Sequence, residues 1–238
     1  MLPRALIGDI KPENWLGFID AIYAIILTLL LIELPSAILE LIKEYEGHPS
    51  LHWALLNGFS LSVLGYLSMF IIIYDVWAHH RVIIVEAALS RINLSLGILI
   101  LFLSSLLPPI YHVLSVLKYE SLTSLIKLTG TNATIYLDAR IALYLIGFGI
   151  HGCIALIASK DLKVFRRLGG IANSRIIALK RLKESSIAMI VVMAVVSILS
   201  FTNWLQPPLP LVLIALSTHL PVDRLLLNMK RRMTTGSH

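Results

Sequence analysis

The sequence predicts an all-α integral membrane protein with six transmembrane helices per subunit and both termini in the cytoplasm, and three observations carry that prediction. Hydrophobic residues make up 57% of the 238 residues and charged residues only 14%, against roughly 25% charged in soluble domains. No water-soluble fold has an interior large enough for that much apolar surface. Apolar runs also recur at the ~20 residues that cross a ~30 Å hydrocarbon layer at ~1.5 Å per residue. Finally, every Lys and Arg except Lys43, Lys118, Lys127 and Arg140 falls in the N-terminal segment, the 2-3 and 4-5 connections or the C-terminal tail. The positive-inside rule assigns that side to the cytoplasm.

The net charge of +6 does not call for a nucleic-acid partner, because the basic residues cluster at helix ends, where lipid headgroups account for them. A single cysteine, Cys153, excludes a disulfide within the chain and any cysteine-based metal site. No cleavable signal is expected: the N-terminus holds only Arg4 and Lys11 as bases, the first apolar run is too long for a signal-peptide core, and no small-residue cleavage site follows.

The first helix is read over residues 15–42. Asp20 and Glu33 bracket its apolar run and Thr28 interrupts it. The second spans 51–77, carries Asn57, Ser60, Ser62 and Ser68 as interhelical glue, and is closed by His79-His80-Arg81. The third lies within 86–107 and stops at Pro108-Pro109. Residues 111–134 read as an interfacial excursion, since Lys118, Glu120 and Lys127 break every long apolar window. The fourth helix covers 135–159, with Gly147, Gly149 and Gly152 offering close helix contact, and the most basic segment of the chain follows it, up to Lys183. The fifth covers 185–204, Pro207-Pro208-Leu209-Pro210 makes a turn, and the sixth runs over 211–227 with a kink at Pro221. Residues 1–232 form one domain, and 233–238 read as a tail or an appended scar. No internal repeat of the inverted-transporter kind is evident.

Plotted at ~100° per residue, the first helix carries a stripe centred on Ile25 that includes Ala21, Leu29, Ile32 and Ser36, with Thr28 at its edge. Such a stripe of small, branched and hydroxylated residues also suits plain helix packing. Asp20 lies about 140° from Ile25 and points into the protein. His79, His80 and Asn93 fall at about the same depth as Asp20, which predicts a buried polar cluster with Asp20 accepting from a His or the Asn. Adjacent histidines do not share a helix face, so no metal site is expected. Glu33 reads equally as an interfacial carboxylate and as part of a cation-attracting mouth. His151, in mid-helix, is expected to bond a neighbouring helix's carbonyl or hydroxyl. A proton path would need further titratable groups at its depth, and the sequence offers none. The Asn132-Ala133-Thr134 sequon carries no argument.

Phe18, Asp20, Ala24, Ile25, Thr28, Leu29, Leu30 and Glu33 together resemble the first-helix signature of the transmembrane protein 175 family of potassium channels. That signature is an aromatic-Ser-Asp triplet followed by small and branched residues, Thr-Leu-Leu and an acidic residue. Two positions depart: the triplet's Ser is Ile19, and the Arg four residues before the Phe is Asn14. Trp77-Ala78-His79-His80 is similar to the family's Trp-x-x-His-His, one residue shorter, and Asn93 with Pro108-Pro109 fits its third helix. The resemblance covers roughly residues 14–110.

The resemblance implies a cation channel modestly selective for potassium, with the first helix of each subunit lining the pore. It makes Ile25 the constriction, with Ala21, Thr28, Leu29 and Ile32 lining the path and Glu33 at the outer mouth. It makes Phe18, Asp20, His79, His80 and Asn93 signature and structural positions. One pore helix cannot enclose a channel, so a homotetramer in a lipid bilayer is implied, multi-pass in the cell membrane of a prokaryote. No cofactor or metal is expected, only potassium as the permeant ion. A carbonyl filter is not expected, for no Thr-Val-Gly-Tyr-Gly stretch occurs. The alternative is a secondary transporter or proton-coupled carrier, which would favour a broken first helix, yet no Gly or Pro interrupts residues 18–34. An enzyme is not expected, since no catalytic spacing is present.

Overall fold

The computed structural model describes residues 12–45, 52–88, 90–123, 131–168, 173–202 and 208–218. They form seven helices: α1 Pro12–Tyr45, α2 His52–Glu86, α3 Arg91–Ser105, α4 Leu107–Thr123, α5 Thr131–Leu168, α6 Asn173–Phe201 and α7 Leu209–Thr218. No strand occurs among the described residues. Five stretches are long and apolar enough to cross a membrane: Asn14–Ser36, Phe59–Glu86, Arg91–Ser115, Thr134–Arg167 and Asn173–Phe201. The shorter apolar helix Leu209–Thr218 overlaps the first part of the sixth helix expected over 211–227. The rest of that helix with Pro221, the end of the expected excursion and the tail lie outside the described residues, as do the side chains of Asn57, Lys118, Glu120 and Asn132.

Where the helices end differs from expectation in a consistent way. α2 is not closed by His79-His80-Arg81 but continues to Glu86, because Ile83 and Ile84 are buried and extend its packing face. The break comes at Ala87, and Ser90 caps α3 by accepting from the Asn93 backbone N–H. α5 runs past Ser159 to Leu168 with Leu162 and Phe165 buried, and α6 begins before Ser185, at Asn173, with Leu179 and Leu182 buried. Charged residues at these ends ride on helix faces that still carry a core stripe.

Pro108-Pro109 does end α3, and it also opens α4, where prolines lose little because the first-turn N–H groups have no intrahelical partner. The start of the expected excursion is a core element: Tyr111 and Leu114 are buried. A Cβ on Gly65 would run into Tyr111 Oη, so α4 reaches the backbone of α2 only because that residue has no side chain. Gly147 works likewise on α5, with Met193 Sδ 2.7 Å from where a Cβ would be, whereas Gly152 faces open space. Of the expected glue residues, Ser68 donates to the Leu64 carbonyl of its own helix at 2.7 Å, and Ser60 is exposed.

The main core joins α1, α2, α3 and α5 through Ile19, Tyr23, Met69, Ile73, Ile100, Ile150 and Ile154. A second cluster, Tyr144, Met189, Met193, Val196 and Ile214, ties α5 and α6 to α7. α1 is the least enclosed span, with 22% of its apolar window buried against 28–44% for the others. It lies against α2, with smaller contacts to α4 and α3, and the rest of its surface is uncovered among the described residues.

Candidate functional site

α1 has two faces of opposite character. Ile19, Tyr23, Ile26 and Leu30 are buried at helical spacing and lock it into the bundle. Ala21, Ile25, Thr28, Leu29 and Ile32 are all exposed, Ile25 by 60% and Ile32 by 62%. The stripe read from the wheel is therefore an exposed face of the described bundle. Thr28 Oγ1 donates to the Ala24 carbonyl at 2.7 Å. That bond uses the hydroxyl hydrogen and leaves the oxygen's acceptor capacity turned to the exposed side. Phe18 is half exposed and meets Trp15 edge to face at 5.7 Å. Glu33 turns toward α4, its Oε2 3.9 Å from His112 Nδ1.

The polar residues expected to form one cluster are divided among separate networks. Asp20 accepts from neither histidine nor from Asn93: its partners are Trp77 Nε1, which donates to Oδ1 at 2.8 Å, and Arg81, whose Nε is 3.7 Å from the same oxygen. Arg81 also lies over the Trp77 ring, 5.1 Å from its centroid. Lengthening α2 past His80 brings Arg81 round to the side of α2 that faces α1. Asn14 stands where the resembled family carries Arg, and here α2 supplies the guanidinium. Ile19, in place of the triplet's Ser, is 1% exposed, so the hydroxyl's position is filled by apolar packing.

His80, fully buried, belongs to a chain that crosses three helices. Ser104 Oγ donates to the Ile100 carbonyl at 2.7 Å and lies 3.2 Å from Tyr23 Oη, so it accepts from the tyrosine. The phenol hydrogen being used, His80 Nδ1, 3.4 Å away, is the donor to Tyr23 Oη. His80 Nε2 then carries the lone pair and has no hydrogen-bond partner among the described residues, lying instead against Gly97. Asn93 joins a third network: its Nδ2 donates to the Ala88 carbonyl and to Asp161 Oδ2, both at 2.8 Å, and Asp161 accepts the Ala88 N–H at 2.6 Å. Lys160 Nζ reaches Ser90 Oγ at 3.0 Å. These bonds fasten the α2–α3 turn to α5.

His79 points the other way, to Asp75 on its own helix and Ser185 on α6. The bond expected from His151 to a carbonyl or hydroxyl is not made at Nδ1, which has no partner among the described residues, and the ring meets that of His79. Titratable groups do stand beside it. Sequence reasoning passed over Asp75, Tyr23 and Asp161. A carboxylate or phenol within an apolar run needs a partner inside the protein, and that signal would have found the first two. No group of three or more metal-ligating side chains occurs among the described residues.

Residues 16–108 match the family model described as the endosomal/lysosomal potassium channel TMEM175. This is the family that the first-helix motif resembles. The match runs from α1 through α2 and α3 into the first turn of α4, and takes in Phe18, Asp20, Ile25, Thr28, Trp77, His79, His80 and Asn93. No curated protein and no solved structure matches the chain.

Proposed function

We propose that this chain is one subunit of a homotetrameric, potassium-selective cation channel of a prokaryotic cell membrane, with the outward face of α1 from each copy lining the pore. The observation that supports the reading most is the division of α1. One face is locked into the bundle, and the other presents Ile25, Thr28, Leu29 and Ile32 outward, within the stretch that matches a potassium-channel family. In this reading a ring of Ile25 side chains makes an apolar neck that excludes water when narrow and admits a partly hydrated cation when the helices splay, so gating and filtering share one place. Thr28 oxygens, their hydrogens already donated to Ala24, act as acceptors for an ion that is shedding water. Glu33 near the outer mouth raises the local cation concentration. Asp20, held by Trp77 and Arg81, sets how α1 sits on α2.

Recording from purified protein in planar bilayers, with potassium on one side and sodium on the other, tests the reading. Unitary currents with a reversal potential displaced toward the potassium equilibrium value are expected. Flux without unitary currents that saturates and depends on a proton gradient would replace the channel with the carrier.

A further inference from the structure

Away from α1, the bundle holds a second group of ionisable side chains that the channel reading does not use. Asp75 and His79 lie one turn apart on α2. His79 Nδ1 is 2.8 Å from the Asp75 carbonyl oxygen and 3.2 Å from its carboxylate, so that nitrogen carries a hydrogen. His79 Nε2 lies 3.2 Å from Ser185 Oγ on α6. A hydroxyl donates or accepts as needed, so neutral His79 accepts from Ser185 and protonated His79 donates to it. Neither state strands a ring nitrogen. His151 of α5 meets the His79 ring edge to face at 6.2 Å, is 3% exposed, and leaves Nδ1 without a partner.

Asp75 and His151 line a cavity between α2, α5, α6 and α7 whose other walls are mostly apolar, such as Ile150, Met193 and Ile214, with the phenol of Tyr144 from α5 as a further titratable group. From α6, Ser185 and the buried, unpartnered Ser186 hydroxyl contribute no charge, and the neighbouring Glu184 pairs with Lys180 at 3.9 Å. α7 brings Thr218 and α4 brings Leu107, and among the described residues no Lys, Arg or Glu lines the cavity. Helix packing alone does not call for a carboxylate and two imidazoles at one depth of an apolar bundle, where each charge is costly.

We infer that Asp75, His79 and His151 form a proton-binding site inside the bundle, one exchangeable proton being held among the carboxylate and the two imidazoles. The proton comes from water reaching the cavity and returns to water, so only N–H and O–H bonds form and break. The site needs the fold and not the channel reading. Its position on α2 still matters to α1, since His79 lies between Trp77 and Arg81, the two residues that hold Asp20.

The test is nuclear magnetic resonance of the full chain in micelles with labelled histidine, the signals assigned from His79→Gln and His151→Gln. The two rings are expected to titrate over one common pH interval, and loss of either ring is expected to change the curve of the other. Asp75→Asn should weaken proton binding by about tenfold, the effect of removing a counter-charge at this range. If Asp75→Asn does not fold, the wild-type curves decide alone. Independent titration of the two rings, or no proton uptake by either between about pH 4 and about pH 9, would overturn the site.

Discussion

Ile25 and Ile26 are neighbours in sequence with opposite environments, and the contrast lets the proposed permeation role be tested apart from stability at the level of one side chain. Ile25 is 60% exposed and Ile26 is 3% exposed. Ile25→Asn keeps roughly the same bulk and supplies groups that hold water, so ion flux into liposomes should rise, potassium-over-sodium discrimination should fall, and thermal stability should stay within about 0.5 kcal/mol. Ile26→Ala should do the reverse, lowering stability by about 2–4 kcal/mol through the cavity it opens in the α1–α2 core, with selectivity retained. Unchanged flux with Asn at position 25 would remove that face from the permeation path. Trp77→Phe removes the N–H that Asp20 accepts and leaves a carboxylate with only Arg81 beside it. A loss of about 1–3 kcal/mol in thermal unfolding is expected, with selectivity unaffected. The outward stripe was legible because a helical wheel needs only spacing. Asp20's partner was not, because choosing among Trp77, His79 and His80 depends on the rotation of α2 about its axis, and neighbouring residues differ by ~100°.

At the scale of elements, the apolar runs were legible and the helix ends were not. Hydropathy reports where a chain must leave water. It does not report where helical hydrogen bonding stops, and α2, α5 and α6 all continue on faces that still bury Ile83, Phe165 and Leu179. The same blindness left Asp161 unremarked within the basic segment, when it is 1% exposed and fastens the turn between α2 and α3. α4 shows the opposite error, since charges further along its sequence hid a first half that packs against α2. That contact is checked by Gly65→Ala, whose added methyl would meet Tyr111 Oη. The substitution should lower thermal stability by about 1–3 kcal/mol, as overpacking does. Gly65→Ala combined with Tyr111→Phe should cost less than the two single changes added together, because the second relieves the clash made by the first. Strict additivity would mean that α4 does not approach α2 as closely as described.

For the whole molecule, the decisive property is that α1 lies at the edge of the described bundle and its outward face is covered by none of the other described residues. A helix at that place can meet lipid or other copies, and the two differ in what the face should contain. Lipid is satisfied by any apolar side chain, whereas helices around a narrow path need small residues where they approach and a few acceptors where an ion loses water. The outward face alternates Ala21 and Ala24 with Ile25, Thr28, Leu29 and Ile32, which suits the second environment. One such helix encloses nothing, and four arranged about an axis would leave a neck that Ile25 side chains can close. Native mass spectrometry of the purified protein in detergent should therefore give four copies as the dominant species. Ala24→Trp, an exposed substitution that leaves the packing of the protomer intact, should shift that population to smaller species while circular dichroism keeps its helical signal. A tetramer that persists with Trp at position 24, or wild-type protein that runs only as monomers, would mean that α1 faces lipid and that the path for ions lies elsewhere in the bundle.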